Sequence, residues 1–418
     1  MRNKKILLIT YYWPPAGGSG VQRWLYFANN LAEMGYDVSV ITSKSKNYQL
    51  FDQELENYVS SKIKVIKISS FEPAKFFKSN NSNSDNINSN GLFNKIKLFI
   101  RANFFFPDSR KFWINKVVKT AIKYINLNKI DYLITSSPPF SLNIIGYKIK
   151  SKTNIKWISD FRDPWSDFFQ FRIMPMSNYI FNKHLKWEEI CLKSADSVIV
   201  TSPSLRNAYS KVNSNTYLIN NGFQKYNGVN NSGLFNIVYS GVMKSSQNPL
   251  MLWKVLTDLC KSNESFKNDL KIKLIGDFDN SIYKNKNIIE LGKNVSFIGY
   301  TSKLNLNTHL CESSVFLLCD VDDLKFSFAI PGKFYDYLSY KIPIIAFSNK
   351  NSDTYNIVKE TNSGNVFDFS NEFDLKNHIL ELYSNFKNNK LILNKNSSDK
   401  YLISNLTLEL NKLLKKLI

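Results

Sequence analysis

Apolar residues in this chain fall in short runs that alternate with longer amphipathic segments. Candidate strands lie at 5–10, 37–42, 63–68, 131–135, 155–159 and 197–201 in the first half. In the second half they lie at 216–219, 236–240, 272–275, 295–298, 315–319, 343–347 and 365–368. Between most of them the apolar spacing is about 3.6 residues, the helical period, as at 21–34, 113–125, 249–260 and 333–340. Alternation of this kind predicts parallel α/β architecture in both halves. The stretch 79–90 (SNNSNSDNINSN) is polar and of low complexity, which reads as a surface loop. The Asn- and Gly-rich stretch 220–233 precedes a fresh strand and suits an interdomain linker. The expected division is an N-terminal domain at 1–215, a second domain at 216–390 and a helical tail at 391–418.

Length fits this division, since 418 residues suffice for two or three domains with real cores. A chain that is 43% apolar and 14% aromatic is not a wholly disordered one. No run approaches the roughly 18 apolar residues of a membrane-spanning helix. The basic start is followed by only a brief apolar run, then Tyr11, Tyr12 and Trp13, with no small-residue cleavage site, so no secretory signal is expected. Cys191, Cys260, Cys311 and Cys319 form no CxxC pair and read as reduced thiols of a cytoplasmic protein.

Charge changes the picture more. The formal surplus is +21, and residues 1–215 hold 31 basic against 15 acidic side chains. The window 91–130 alone has nine basic residues and one acid, Asp108. Such a patch suits a polyanion, either nucleic acid or an anionic membrane surface. A coding bias toward Lys and Asn is the plainer account, but it would not favour one half so strongly. No nucleic-acid-binding module accompanies the charge. Within the window, Leu92, Phe93, Ile96, Phe99, Ile100 and Phe104 share one helical face, with Lys95, Lys97 and Arg101 elsewhere. Two readings stand for it. A basic aromatic helix can lie in a membrane interface, or it can bury its stripe on its own domain. The C-terminal 408–418 segment is a weaker candidate for the membrane role.

Two glycine-containing turns carry candidate chemistry. The first strand runs into YYWPPAGGSG (11–20) and then a helix, a place where backbone amides and the helix dipole can meet a phosphate. The pattern is neither GxGxxG nor a P-loop. In the second half, Pro331 and Gly332 open a helix with Lys333 in its first turn and Asp336 one turn later. A lysine there can neutralise a diphosphate, and a carboxylate can accept ribose hydroxyls; a surface ion pair is the competing reading.

These segments, with WISDFRDPW (157–165), ADSVIVTSPSL (195–205), NNGF (220–223) and IPGKFYDYLSYKIPI (330–344), follow one another in an order that resembles bacterial family 4 glycosyltransferases of the GT-B fold, the builders of surface polysaccharides such as lipopolysaccharide or capsule. The resemblance covers roughly residues 4–370. It implies an α/β protein with two Rossmann-like domains facing across a cleft, with the acceptor in the first and a nucleotide sugar, UDP-linked by expectation, in the second. It further implies hexosyl or N-acetylhexosaminyl transfer with retention of configuration, no metal or other cofactor, and a lipid-linked saccharide acceptor at the inner face of the membrane. Gly17 and Gly18 match the loop that approaches the donor phosphates, Lys333 the cation at the diphosphate, and Asp336 the acid that holds the ribose, usually a glutamate. The earlier acidic position of the family is Phe328 here. Relatives often carry arginine where this chain has Gln247, which leaves Lys244 as the substitute second cation.

Asp160, Arg162 and Asp163 lie just past a predicted strand. Two carboxylates flanking a guanidinium can orient an acceptor hydroxyl, or they can form an internal salt bridge that shapes the loop before Trp165. His184, His309 and His378 sit in no motif and read as solvated or structural. Asp320-Val321-Asp322-Asp323 contains an Asp-x-Asp, which binds metal–diphosphate in another glycosyltransferase fold; here a solvated loop is the expectation. Two rival functions remain, a catalytically inactive GT-B scaffold and a nucleic-acid-binding protein that uses the basic half.

Overall fold

The computed structural model describes residues 3–44, 48, 50–69, 92–168, 171, 174–321, 330–393 and 397–417. The expected loop at 79–90 and residues Asp322, Asp323 and Phe328 lie outside the described residues. The chain divides into two compact units, Met1–Asn220 with Ile403–Ile418, and Asn221–Leu402.

The first unit is built on a parallel sheet of β1 (Lys5–Ile9), β2 (Asp37–Ser43), β3 (Lys64–Ile68), β4 (Tyr132–Ser137), β5 (Lys156–Phe161), β6 (Ser197–Val200) and β7 (Thr216–Leu218). Among the described residues their order is β3-β2-β1-β4-β5-β6-β7. Both faces are covered, so the inner strands are buried along almost their whole length and period two decides only which core each residue joins. Leu7 and Ile9 of β1 pack with α3 (Ile114–Asn128), α4 (Ser141–Lys150) and α5 (Asn178–Ser194), once α1 (Ser19–Glu33) and α2 (Leu92–Phe104) have been passed along the chain. Ile6 and Leu8 pack on the other face with α1 and the C-terminal helix (Ile403–Lys416).

Two boundaries differ from the expected ones. The strand at 216–218 pairs with β6 in the first sheet rather than opening the second domain. The C-terminal helix returns to the first unit, where Leu406, Leu410, Leu413 and Leu414 are buried against the α1 side of the sheet. Tyr132 Oη donates to the Leu414 carbonyl at 3.0 Å and Asn30 Nδ2 to Thr407 Oγ1 at 3.1 Å, which fixes that docking.

The second unit holds β8 (Phe235–Met243), β9 (Leu270–Phe278), β10 (Val295–Ile298), β11 (Val315–Cys319), β12 (Ile344–Phe347) and β13 (Gly364–Phe367), ordered β10-β9-β8-β11-β12-β13 among the described residues. One face packs on α6 (Leu250–Ser262); the other packs on α7 (Gly332–Leu338) and α8 (Asp353–Thr361), and α9 (Glu372–Lys387) joins the α6 side. Each unit therefore has a point where strand order reverses, between β1 and β4 in the first and between β8 and β11 in the second. In open α/β sheets such a point, at the carboxyl ends of the strands, opens a crevice for ligand.

Candidate functional site

In the first unit, β1 ends at the switch point and the glycine turn follows. The turn is pinned from outside: the Gly17 amide donates to the Leu50 carbonyl at 2.9 Å, and the Asp52 amide donates to that of Pro15 at 2.9 Å. Gly17's N–H is therefore taken within the fold. Gly18 is the residue before α1, with φ of 94°, a conformation that favours glycine. Gly20 has a different reason to lack a side chain. A Cβ there would lie 2.4 Å from Arg162 Nη1.

Arg162 is the clasp of this edge. Its Nη1 donates to the Gly20 carbonyl at 2.7 Å, Nη2 to that of Pro138 at 2.6 Å, and Nε to that of Ser137 at 3.1 Å. One guanidinium thus joins the start of α1 to the segment after β4. Burial pulls its pKa below the ordinary arginine range, and Asp160 and Asp163 oppose that pull. Asp160 is fully buried and accepts from Arg23 Nη2 at 3.0 Å, Trp24 Nε1 at 2.6 Å and Ser136 Oγ at 2.7 Å. Arg23 also donates to the carbonyls of Ile219 and Asn220, the last residues before the chain leaves the unit. Asp163 is only half-buried, and no hydrogen bond reaches its carboxylate among the described residues. Burial raises its pKa, Arg162 opposing.

Trp165 anchors the segment from below. Its amide donates to Glu188 Oε1 and to Tyr209 Oη, both at 3.0 Å, and its indole donates to His184 Nδ1 at 2.9 Å. Burial holds His184 at a pKa of about 4, so it is a neutral acceptor, a structural role. Sequence reasoning missed Glu188. Its signal was the spacing Ile180, His184, Glu188, Cys191 along one buried helix face, with two polar residues where core was due.

In the second unit, Lys333 of α7 places its ammonium 3.6 Å from the centroid of the Tyr239 ring on β8. It lies across the backbone of Gly241, where a Cβ would come within 3.1 Å of Nζ. Gly241 pairs with Gly276 of β9, and a Cβ on Gly276 would lie 2.2 Å from the Gly241 carbonyl oxygen, so both strands must be bare at this edge. Lys333 forms no ion pair with a carboxylate among the described residues. Burial lowers its pKa to about 7, against the opposing pull of Cys319 and Asp320. Asp320, at the end of β11, accepts from Ser348 Oγ at 2.6 Å and is raised by burial to about 6.

The turn after β8 is braced by Gln247, which donates Nε2 to the Cys319 carbonyl at 3.1 Å and accepts the Lys244 amide at 3.1 Å. Its amide thus ties the Lys244 turn to the end of β11. The Lys244 side chain is exposed and Asp336 is half-buried. The structure gathers Lys333, Lys244 and Gln247 around one switch point, and Asp160, Arg162, Asp163 and Gly20 around the other. That Tyr239, Gly241 and Asp320 gather around Lys333 was not legible in the sequence. Among the described residues, no three His, Cys, Asp or Glu side chains come together as a metal-binding group.

The chain is similar throughout its length to several solved structures. Sucrose-phosphate synthase from Thermosynechococcus elongatus superposes with a TM-score of 0.65 at 16% identity, over 99% of each chain. A glycosyltransferase from Rickettsia africae gives 0.63 at 15%, over 100% of this chain and 99% of that one. The fold is GT-B. The lipopolysaccharide outer core galactosyltransferase WaaB, at 0.57 and 12% identity over 99% of this chain and 100% of its own, shares it. No family model and no curated protein matches the sequence.

Proposed function

We propose that this protein is a retaining glycosyltransferase that moves a sugar from a nucleotide-diphosphate donor, UDP-linked in the first instance, to a lipid-linked saccharide during cell-surface glycan synthesis at the cytoplasmic face of a membrane. The observation that carries this reading is the Lys333 ammonium, held over Tyr239 and against a bare glycine at a sheet switch point, without a carboxylate partner among the described residues. A desolvated cation in that position suits the charge that develops on a departing diphosphate. The likeness in fold to a galactosyltransferase of the lipopolysaccharide outer core supports the glycosyltransferase reading.

In this reading Lys333 and Lys244 hold the diphosphate and Asp336 the ribose. The bond from the anomeric carbon to the phosphate oxygen breaks while a bond to the acceptor oxygen forms on the same face. The departing phosphate oxygen takes the acceptor's proton, so neither a protein nucleophile nor a metal is assigned. On the acceptor side Asp163 orients the hydroxyl, and Asp160 and Arg162 hold the segment in place.

The test is a panel of UDP- and GDP-sugars screened by thermal shift, followed by turnover on lipid-linked acceptors with wild type and Lys333→Ala. Near-normal turnover by the variant contradicts the site. A second reading, an inactive scaffold, is favoured by Gln247, whose side chain is engaged within the fold at a position usually cationic in the resembled family. Failure of every nucleotide sugar to shift the melting temperature would select it.

A further inference from the structure

The two sequence readings of α2, buried stripe or interface helix, are separated by its surroundings. Of its predicted apolar face, Ile96 and Phe99 are each 48% exposed and Phe104 is 65% exposed. Ala102, off that face, is the helix's buried residue among those described. The C-terminal helix, the other candidate, behaves oppositely and buries its whole leucine stripe. Ile100 is half-buried, so among the described residues of that face three of four are exposed, and this helix lies in the densest basic window.

It does not stand alone. Asn103 Nδ2 donates to the Pro175 carbonyl and its Oδ1 accepts the Ser177 amide, both at 2.9 Å, which clamps the end of α2 to the N-cap of α5. The first two turns of α5 then present Tyr179, 76% exposed, with Phe181 and Leu185 also exposed. Between the helices, ammonium groups sit at ring level: Lys111 Nζ is 4.9 Å from the centroids of Phe105 and Phe112, and Lys183 Nζ is 4.5 Å from that of Phe106. The one acid of the window is turned to structure, since Asp108 accepts the amides of Arg110 and Ser141, both at 2.8 Å.

We propose that α2 and the first two turns of α5 form one composite docking surface for a bilayer rich in anionic lipid. Aromatic side chains that reach the acyl boundary while lysines remain among headgroups are the arrangement that binds such an interface. Charge chooses the occupant. A second copy of this chain would bring a basic surface against its like, whereas anionic headgroups complement it. The inference rests on the reading of a lipid-linked acceptor, and it adds a second helix that no amphipathic pattern in the sequence singled out.

The experiment is co-sedimentation of the full chain with phosphatidylcholine vesicles, with and without about one-third phosphatidylglycerol. Retention on the anionic vesicles and its release in about 1 M salt, where screening is nearly complete, is the expected result. Phe104→Ser/Phe181→Ser should lose most of the retention, at least about tenfold, as should Lys95→Glu/Arg101→Glu. Lys412→Glu/Lys415→Glu on the C-terminal helix should retain wild-type binding. Unchanged melting temperatures and unchanged UDP-sugar shifts exclude misfolding of any variant and keep this outcome separate from the donor site. Equal binding to neutral vesicles, wild-type retention by Phe104→Ser/Phe181→Ser, self-association on the same face, or salt-sensitive binding to oligonucleotide without vesicle retention would each overturn the proposal. If docking fails while nucleotide-sugar turnover on a soluble acceptor persists, only the surface is lost and the glycosyltransferase reading stands.

Discussion

The two switch points hold similar residue types in opposite states. In the first unit, Asp160 is surrounded by three donors and Arg162 by three carbonyl oxygens, all from the same unit. In the second, Lys333 is desolvated against an aromatic ring and a glycine backbone. A charge whose bonding capacity is filled from within the fold holds architecture. A half-buried charge that rests on a ring and a glycine backbone, with only the partial pull of Cys319 and Asp320, carries a cost that an anionic ligand relieves. The comparison therefore favours the internal salt-bridge reading for Asp160 and Arg162, and it supports the proposed ligand-binding role for Lys333.

The largest expected effect lies on the structural side. Asp160→Ala strands the Arg23 guanidinium in the core, and removing one partner of a buried pair costs about 3–5 kcal/mol. Denaturant unfolding should show a comparable loss; a cost within about 0.5 kcal/mol, usual at surface sites, would contradict the architectural role. On the ligand side, Lys333→Ala should lower turnover about 10²–10³-fold, the usual penalty for one electrostatic donor at developing charge. Its melting temperature should match wild type or exceed it, because a poorly solvated ammonium has been removed.

A pH dependence follows from the same residue. Lys333 titrates at about 7 in the free protein, and a bound diphosphate requires its charged form. Above that pH, binding must take up a proton, so UDP affinity should fall by up to about tenfold per pH unit. Calorimetry in two buffers of different ionisation enthalpy reports the uptake directly. Linkage to stability has the opposite sense. The unfolded chain keeps this lysine charged up to its ordinary range, so between about pH 7 and 10 the group favours the folded state increasingly as pH rises. The smallest effect is expected from Gln247→Ala, which loosens the Lys244 turn; a few-fold weaker UDP binding with unchanged stability would place Gln247 as a brace.

Much of the fold was legible because parallel strands buried on both faces are short apolar runs with turn residues at each end. All the predicted strands occur. The edge strand β7 was placed in the wrong half, since three residues just before an Asn-rich stretch carry no local sign of which sheet they join. The return of the C-terminal helix was hidden for a related reason: an amphipathic helix shows that it needs a partner but not which one. At the sites, Lys333 was legible because its motif is local. The partners of Asp160 were not, for Arg23 lies 137 positions away in the chain. Tyr239 and Asp320 likewise reach Lys333 only through the sheet. The partial exposure of α2 could not be read either, because a helix with an apolar stripe looks the same in sequence whether or not something covers it.

The central claim is that the β8–β11 switch point of the second unit binds a nucleoside diphosphate through Lys333. Isothermal titration of UDP into wild type and Lys333→Ala, near neutral pH and again a unit above it, tests this most directly. Saturable binding by wild type that weakens with pH, and loss of most of that binding in a variant that melts normally, is the predicted result. Equal affinity of the two proteins at both pH values would contradict it.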